Sequence, residues 1–313
     1  MKKAVLVLSL LLPGGLLAQQ NATAPAGTVP NSLTFPTERV VAPTTSDLYC
    51  AGFIGKPVEN RDRYVAGGLE SPFTTRYANG DAIFLNGKGY EAGQEYTVVR
   101  ELRDPNRYEL FAGQWAALKA SGQPYAELAR IQIVDTRSKM AVARIEYSCD
   151  GVVPGDYVIP FVEKPASAFH APVKFDRLAP ANGQTTGRIL MAKDFDSELA
   201  NGAKVYVNIG ATQGLKVGDL LKVVRSYQAT SQDPVESLSF KASTVETSQT
   251  KQAVINPNFL NKTGGATIQI ADMPRRAVGE LVILGTTPAT ATAMVVFSEE
   301  PVLVGDRVEV DQQ

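Results

Sequence analysis

The feature that most constrains this chain is that it repeats itself. Residues 129–159 overlay on residues 279–309 at a constant offset of 150, with no gap. Ala141 to Ser148 then faces Ala291 to Ser298, and Val153-Pro154-Gly155-Asp156-Tyr157-Val158 faces Leu303-Val304-Gly305-Asp306-Arg307-Val308. Upstream, Ile83-Phe84-Leu85-Asn86 faces Val205-Tyr206-Val207-Asn208, Gly93 faces Gly218, and Val98-Val99-Arg100 faces Val223-Val224-Arg225. A chain of this kind reads as two copies of one small unit, which points to a scaffold or binding part more than to a one-pocket enzyme.

The unit is a β unit. In the first copy, 48–54, 81–85, 95–100, 128–134, 141–147 and 157–162 are short runs rich in β-branched or aromatic residues, separated by Gly, Asn or Asp. The second copy supplies 187–192, 203–208, 220–226, 277–284, 291–297 and 307–310. Short antiparallel strands leave exposed edges, and closure into a small barrel removes them. The expected fold is therefore mainly all-β, with two tandem, duplicated small barrels and one short helix in the first. That helix is expected over 108–119, where Leu110, Phe111, Trp115 and Leu118 share a face. Trp115, the single tryptophan, reads as a cap on the barrel interior; the alternative is an exposed binding aromatic.

Each copy ends in one phrase, apolar residues alternating up to Gly-Asp. It contains Gly155 and Asp156 in the first copy and Gly305 and Asp306 in the second. A related phrase holds Gly218 and Asp219, and its first-copy partner keeps Gly93 but has lost the aspartate. Glycine there allows a tight turn, and the aspartate accepts from nearby backbone N–H groups. These are expected to be structural turns. A carboxylate cluster for metal or acid–base work is the rival reading, and single carboxylates at equivalent turns do not converge as catalysis requires.

Cys50 and Cys149 lie in the first copy, and the second copy has neither. Joint presence and joint absence is the pattern of a bonded pair, and export would place it in an oxidising compartment. Buried free thiols or a reactive cysteine are the alternatives. The ends of the chain bear on export. Met1-Lys2-Lys3 and the apolar run 4–12 form a signal peptide expected over 1–18, too short to span a bilayer comfortably. Its removal takes the formal net charge from −1 to −3 by the loss of Lys2 and Lys3. The charge is mild and mixed, with no basic stripe, so nucleic acid is a poor partner. No later apolar run is long enough to span a membrane.

The expected organisation is a Pro/Thr-rich disordered tail over 19–47, a first barrel over 48–163, a linker over 164–186 and a second barrel over 187–313, with an insertion at 226–276. No catalytic site, cofactor or metal site is expected. His170 is the only histidine and sits in the linker, which excludes paired-His zinc sites. There is no Gly-x-Ser-x-Gly elbow, phosphate loop or dinucleotide fingerprint.

Residues 125–131 (Tyr-Ala-Glu-Leu-Ala-Arg-Ile), Ala141-Val142-Ala143-Arg144-Ile145 and the phrase 149–160 resemble a type of bacterial envelope protein. Such proteins often carry a peptidoglycan-binding LysM module beside a small Gly-Asp-motif β domain. That domain is also similar to the C-terminal domain of flagellar assembly protein T. Phe84-Leu85-Asn86 and Tyr96-Thr97-Val98-Val99-Arg100 fit the same pattern, so the resemblance covers most of 48–162 and, more weakly, 187–310. It implies an SH3-like or related barrel, a place in the periplasm or at the outer membrane, and no catalytic residues. No LysM module is recognisable in this chain.

The function expected is an exported, non-enzymatic envelope protein, with a structural or assembly role through contacts with envelope proteins. The alternative is a module binding peptidoglycan or another polysaccharide, for which Tyr90, Tyr108, Trp115 and Tyr125 are the stacking candidates. That alternative requires several of them exposed on one face. A hydrolase with an unfamiliar site is the third reading and would require a close carboxylate cluster.

Overall fold

A computed structural model describes residues 40–70, 76–105, 108–165, 169, 175–226, 231–232, 268–269 and 274–311. His170 and most of the 226–276 insertion lie outside the described residues, as do the signal peptide and most of the proposed tail.

The fold is mainly β. The first half holds β1 (Phe53–Gly55), β2 (Val65–Gly68), β3 (Ala82–Leu85), β4 (Glu95–Glu101), β5 (Gln123–Asp135), β6 (Ala141–Ser148) and β7 (Tyr157–Pro160). They form one antiparallel sheet in the order β2-β3-β6-β5-β4-β7, with β1 added on β5. The second half holds β8 (Thr186–Ala192), β9 (Glu198–Leu199), β10 (Lys204–Val207), β11 (Leu220–Arg225), β12 (Ser231–Gln232), β13 (Ile268–Gln269), β14 (Arg276–Thr286), β15 (Ala291–Ser298), β16 (Val302–Leu303) and β17 (Arg307–Asp311). Six of these close a barrel in the order β8-β10-β15-β14-β11-β17.

The two orders correspond strand for strand. The β-bulges do too: Arg130/Ile131 and Ile133/Asp135 on β5 match Glu280/Leu281 and Ile283/Gly285 on β14, again at an offset of 150. Val98/Val99 on β4 likewise matches Val223/Val224 on β11. Closure differs. The seven-residue β8 pairs along both its neighbours, whereas beside the four-residue β2 the first sheet is joined end to end by a short contact around the Tyr64–Tyr157 bridge, with Val65 N donating to the Asp156 carbonyl at 2.9 Å, Gly155 N to the Val65 carbonyl at 2.8 Å and Val158 N to the Arg63 carbonyl at 3.0 Å. One full barrel and one bridged sheet replace the two barrels expected.

The core of the second barrel is not made by the second half alone. Ile189, Val207, Leu221, Leu281 and Val295 fill it, and Ile54 from β1 and Phe111 from the first half are buried among them. Phe111 leads into the helix α2 (Gln114–Ser121), which starts later than the expected 108–119 because Gly113 sits at φ 84° and resets the turn. The reset puts Gln114 inward, fully buried and donating to the Leu190 carbonyl at 2.9 Å. Trp115 falls on the next face and is 50% exposed, so it does not cap a barrel. Leu110, Phe111 and Leu118 do the packing instead.

The chain is also ordered earlier than the tail boundary at Asp47 implies. Val41 N donates to the Val296 carbonyl at 2.9 Å, and the helix α1 (Thr45–Tyr49) follows, capped by Thr44 and Asp47. Leu48 and Ala51 lie on the outer face of the second barrel against Val282, Leu284, Met294 and Val296. Both faces of β14 and β15 are therefore covered, which is why these strands read as nearly unbroken apolar runs. In the first sheet β6 alternates, with Arg144 and Glu146 outward. Among the described residues no helix is long and apolar enough to cross a membrane.

Ile54→Ala is expected to cost about 2–5 kcal/mol, as for other large-to-small changes in a core. The loss should appear in the second barrel, as faster hydrogen exchange at residues 205–207 and 291–295, although residue 54 belongs by sequence to the first copy.

Candidate functional site

The turn residues resolve into anchors. Gly93, Gly155, Gly218 and Gly305 take φ of 83°, 95°, 95° and 102°. Asp156 Oδ2 accepts from Val153 N at 2.7 Å, Asp306 Oδ2 from Leu303 N at 2.7 Å, and Asp219 Oδ2 from Lys216 N at 2.8 Å. Two of the aspartates do more. Arg100 donates Nε and Nη2 to Asp156 at 2.7 and 2.8 Å, and its Nη2 also reaches the Gly151 carbonyl at 3.0 Å. Arg225 repeats this on Asp306 at 2.8 and 2.8 Å, and on the Pro301 carbonyl. Both carboxylates are buried and each accepts from its arginine and a turn N–H, so they pin the turn before the last strand to the neighbouring strand, β4 or β11. The sequence carried this signal in the aligned Val-Val-Arg triplets, but the partner of each arginine lies 56 or 81 residues away and is visible only in the fold.

The other cluster is the seam between the halves. Segment 44–55 is wedged there, with three consecutive groups of bonds into the second barrel. Tyr206 Oη donates to the Ala51 carbonyl at 3.1 Å, Thr292 Oγ1 to Gly52 at 2.9 Å and Thr290 Oγ1 to Ile54 at 3.0 Å. Asp47 pairs with Lys204 at 2.6 Å, which with the Thr44 cap holds its carboxyl below the usual range against the opposing effect of burial. Toward the first sheet, Gly52 N and Lys164 Nζ donate to the buried Glu127 at 3.0 and 2.6 Å. Cys50 is disulfide-bonded to Cys149 at the end of β6, with Cα atoms 5.5 Å apart. A Cβ on Gly52, at φ 73°, would meet the Tyr125 carbonyl at 2.4 Å and the Tyr206 hydroxyl at 2.5 Å, so only glycine fits where the halves pinch the chain.

A cavity of about 400 Å³ opens beside the disulfide, between Tyr49 of α1, Tyr147 and Phe161. Thr97, Glu127 and Val162 line both this cavity and a neighbouring one of about 310 Å³.

The four candidate aromatics do not converge. Tyr125 is fully buried, with its hydroxyl accepting from Val58 N at 3.0 Å, and is not available for stacking. Tyr90 is half-buried, edge-on to Tyr96 at 5.2 Å, and burial pushes its phenol well up. Tyr108 and Trp115 remain exposed. Among the described residues no group of three or more His, Cys, Asp or Glu side chains is placed to hold a metal ion.

One charged group escaped the sequence reading. Glu280 on β14 is 1% exposed, and neither oxygen has a hydrogen-bond partner among the described residues. It faces Lys222 across the strands, but that ammonium turns to Asp311 at 3.3 Å. Burial, with the Asp311 charge added, pushes the Glu280 carboxyl up to about 7.

Residues 202–275 match the family model of the flagellar assembly protein T C-terminal domain. The match takes in β10, β11, the Gly218-Asp219 turn and Arg225, and runs through the insertion. It falls in the half where the resemblance read from sequence is weaker. No curated protein matches the chain.

Two measurements check these assignments. Asp306→Asn, which breaks the buried two-bond pair and leaves Arg225 only the 3.2 Å ion pair with Glu300, should cost about 3–5 kcal/mol in denaturant unfolding. Asp219→Ala, which loses the turn bond from Lys216 N, should cost about 1 kcal/mol. For Glu280, the folded state keeps a proton that the unfolded chain releases near pH 4.5, the ordinary value. Stability should therefore fall as pH rises from about 4.5 to about 7, by at most about 1.4 kcal/mol per pH unit. Glu280→Gln should flatten that slope.

Proposed function

We propose that this chain is an exported, non-enzymatic component of a bacterial cell envelope that works in assembly through protein contacts. The observation that carries the reading is the match of about a quarter of the chain to a domain of a flagellar assembly protein. The disulfide supports export, since such bonds persist in oxidising compartments such as the periplasm. On this reading residues 1–18 are a leader removed on export, and the two halves act as one body. We further infer that the halves descend from one duplicated domain. The common strand order, the matched bulges and the repeated Arg–Asp anchor support that descent.

Glycan binding would have to run through Tyr108 and Trp115, the exposed members of the four aromatics. The test is a pull-down of the oxidised protein from envelope extract beside co-sedimentation with purified peptidoglycan sacculi. Enrichment of particular envelope proteins, with the protein left in the supernatant above the sacculi, is the expected result. Saturable co-sedimentation with bare sacculi that is lost in Trp115→Ala would replace assembly by glycan binding.

A further inference from the structure

The cavity beside the disulfide gains meaning from its counterpart in the second barrel. Glu127, Tyr147 and Cys149 line it, and at the offset of 150 they face Ala277, Phe297 and Glu299. In the second barrel these three are covered by the chain that leads into it. The Phe175 ring lies 4.9 Å from that of Phe297, the Arg177 carbonyl accepts from Ala277 N at 2.7 Å, and Arg177 pairs with Glu299 at 3.4 Å. In the first sheet the leading segment makes the equivalent ties, Cys50 to Cys149 and Gly52 to Glu127. Leu48, however, turns away onto the second barrel, Tyr49 stacks on Phe161 at 5.7 Å, and among the described residues no ring of that segment stacks on Tyr147 as Phe175 does on Phe297. About 400 Å³ is left, walled mainly by apolar atoms of Tyr49, Tyr147 and Phe161, with Val162 71% exposed at the rim.

Two features narrow what fits. Arg130 lines the cavity with its guanidinium 4.3 Å from the centre of the Phe161 ring. The charges are already balanced, Arg130 by Glu95 and Lys164 by Glu127, so a charged occupant finds no open counter-charge. The counterpart surface on the second barrel is covered by a phenylalanine of a polypeptide segment, Phe175. We propose that this cavity receives an aromatic side chain from a partner polypeptide. The proposal rests on the assembly reading and gives its partner a chemistry: an extended segment carrying Phe, Tyr or Trp, bound by shape and apolar area with little dependence on salt.

The probe is N-acetyl-L-phenylalaninamide, titrated into the full oxidised chain and followed by NMR, with N-acetyl-L-alaninamide and decanoate as comparisons. Saturable shifts at Thr97, Tyr147 and Phe161, at least tenfold weaker with the alanine probe and absent in Thr97→Phe, are expected. The last change fills the cavity from the outer face of β4 with a residue that strands favour. Absence of saturation, equal response to the alanine probe, or tighter binding of decanoate overturns the proposal, and none of these readouts depends on the variant folding. If the wild type captures envelope proteins and folded Thr97→Phe captures them equally, the cavity is not the contact. The proposal then fails while the assembly reading stands.

Discussion

Three main-chain carbonyls join the two halves of residues 40–311. Those of Ala51, Gly52 and Ile54 belong by sequence to the first repeat, yet they are satisfied by hydroxyls of Tyr206, Thr292 and Thr290 on the second barrel. A buried carbonyl without a donor is costly, so the wedge cannot leave the second barrel without exposing or orphaning these groups. The apolar contacts run the same way, with Ile54 inside the barrel and Leu48 and Ala51 on its outer face. The equivalent positions of the first sheet are Phe84, Met140 and Val142, which have no hydroxyl to offer. Among the described residues, the hydroxyls that donate to these wedge carbonyls all stand on the second barrel.

Each half is held shut in the same manner and tethered in a different one. Arg100–Asp156 and Arg225–Asp306 join the fourth and last strands of each sheet, and both carboxylates also close the turn that precedes the last strand. The segment entering each half is tied to the end of the hairpin's second strand, covalently at Cys50–Cys149 and ionically at Arg177–Glu299. The covalent tie sits where the wedge has to serve two bodies. It closes a loop of about a hundred residues, worth up to about 4–5 kcal/mol in the chain-entropy description. The second half, whose entering segment is tied ionically at Arg177–Glu299, has no cysteine pair.

Much of this was legible from the residues. The strand runs, the turn glycines and the pairing of two cysteines confined to one copy all follow from local chemistry, because alternation, positive φ and joint loss leave marks in sequence. The unbroken apolar run of β15 against the alternating β6 also recorded that one copy is covered on both faces. Tyr125 and Trp115 were not legible as buried and exposed. Aromatic residues serve equally as core and as contact, and a left-handed glycine at Gly113 reset the phase of the helix on which Trp115 lies.

What the sequence carried by itself was the set of strand runs, the Gly-Asp turns and the arginines at matching positions in the two halves. Tertiary structure alone decided the partners. Arg100 finds Asp156, Gln114 finds the Leu190 carbonyl, Glu280 is left without a hydrogen-bond partner among the described residues, and segment 44–55, expected to end a tail and open a first-barrel strand, fills a seam. The physical reason is range. Periodicity and turn chemistry act over a few residues, whereas burial and hydrogen-bond satisfaction are settled among groups that only the closed barrel and the bridged sheet bring within 3 Å or so of one another.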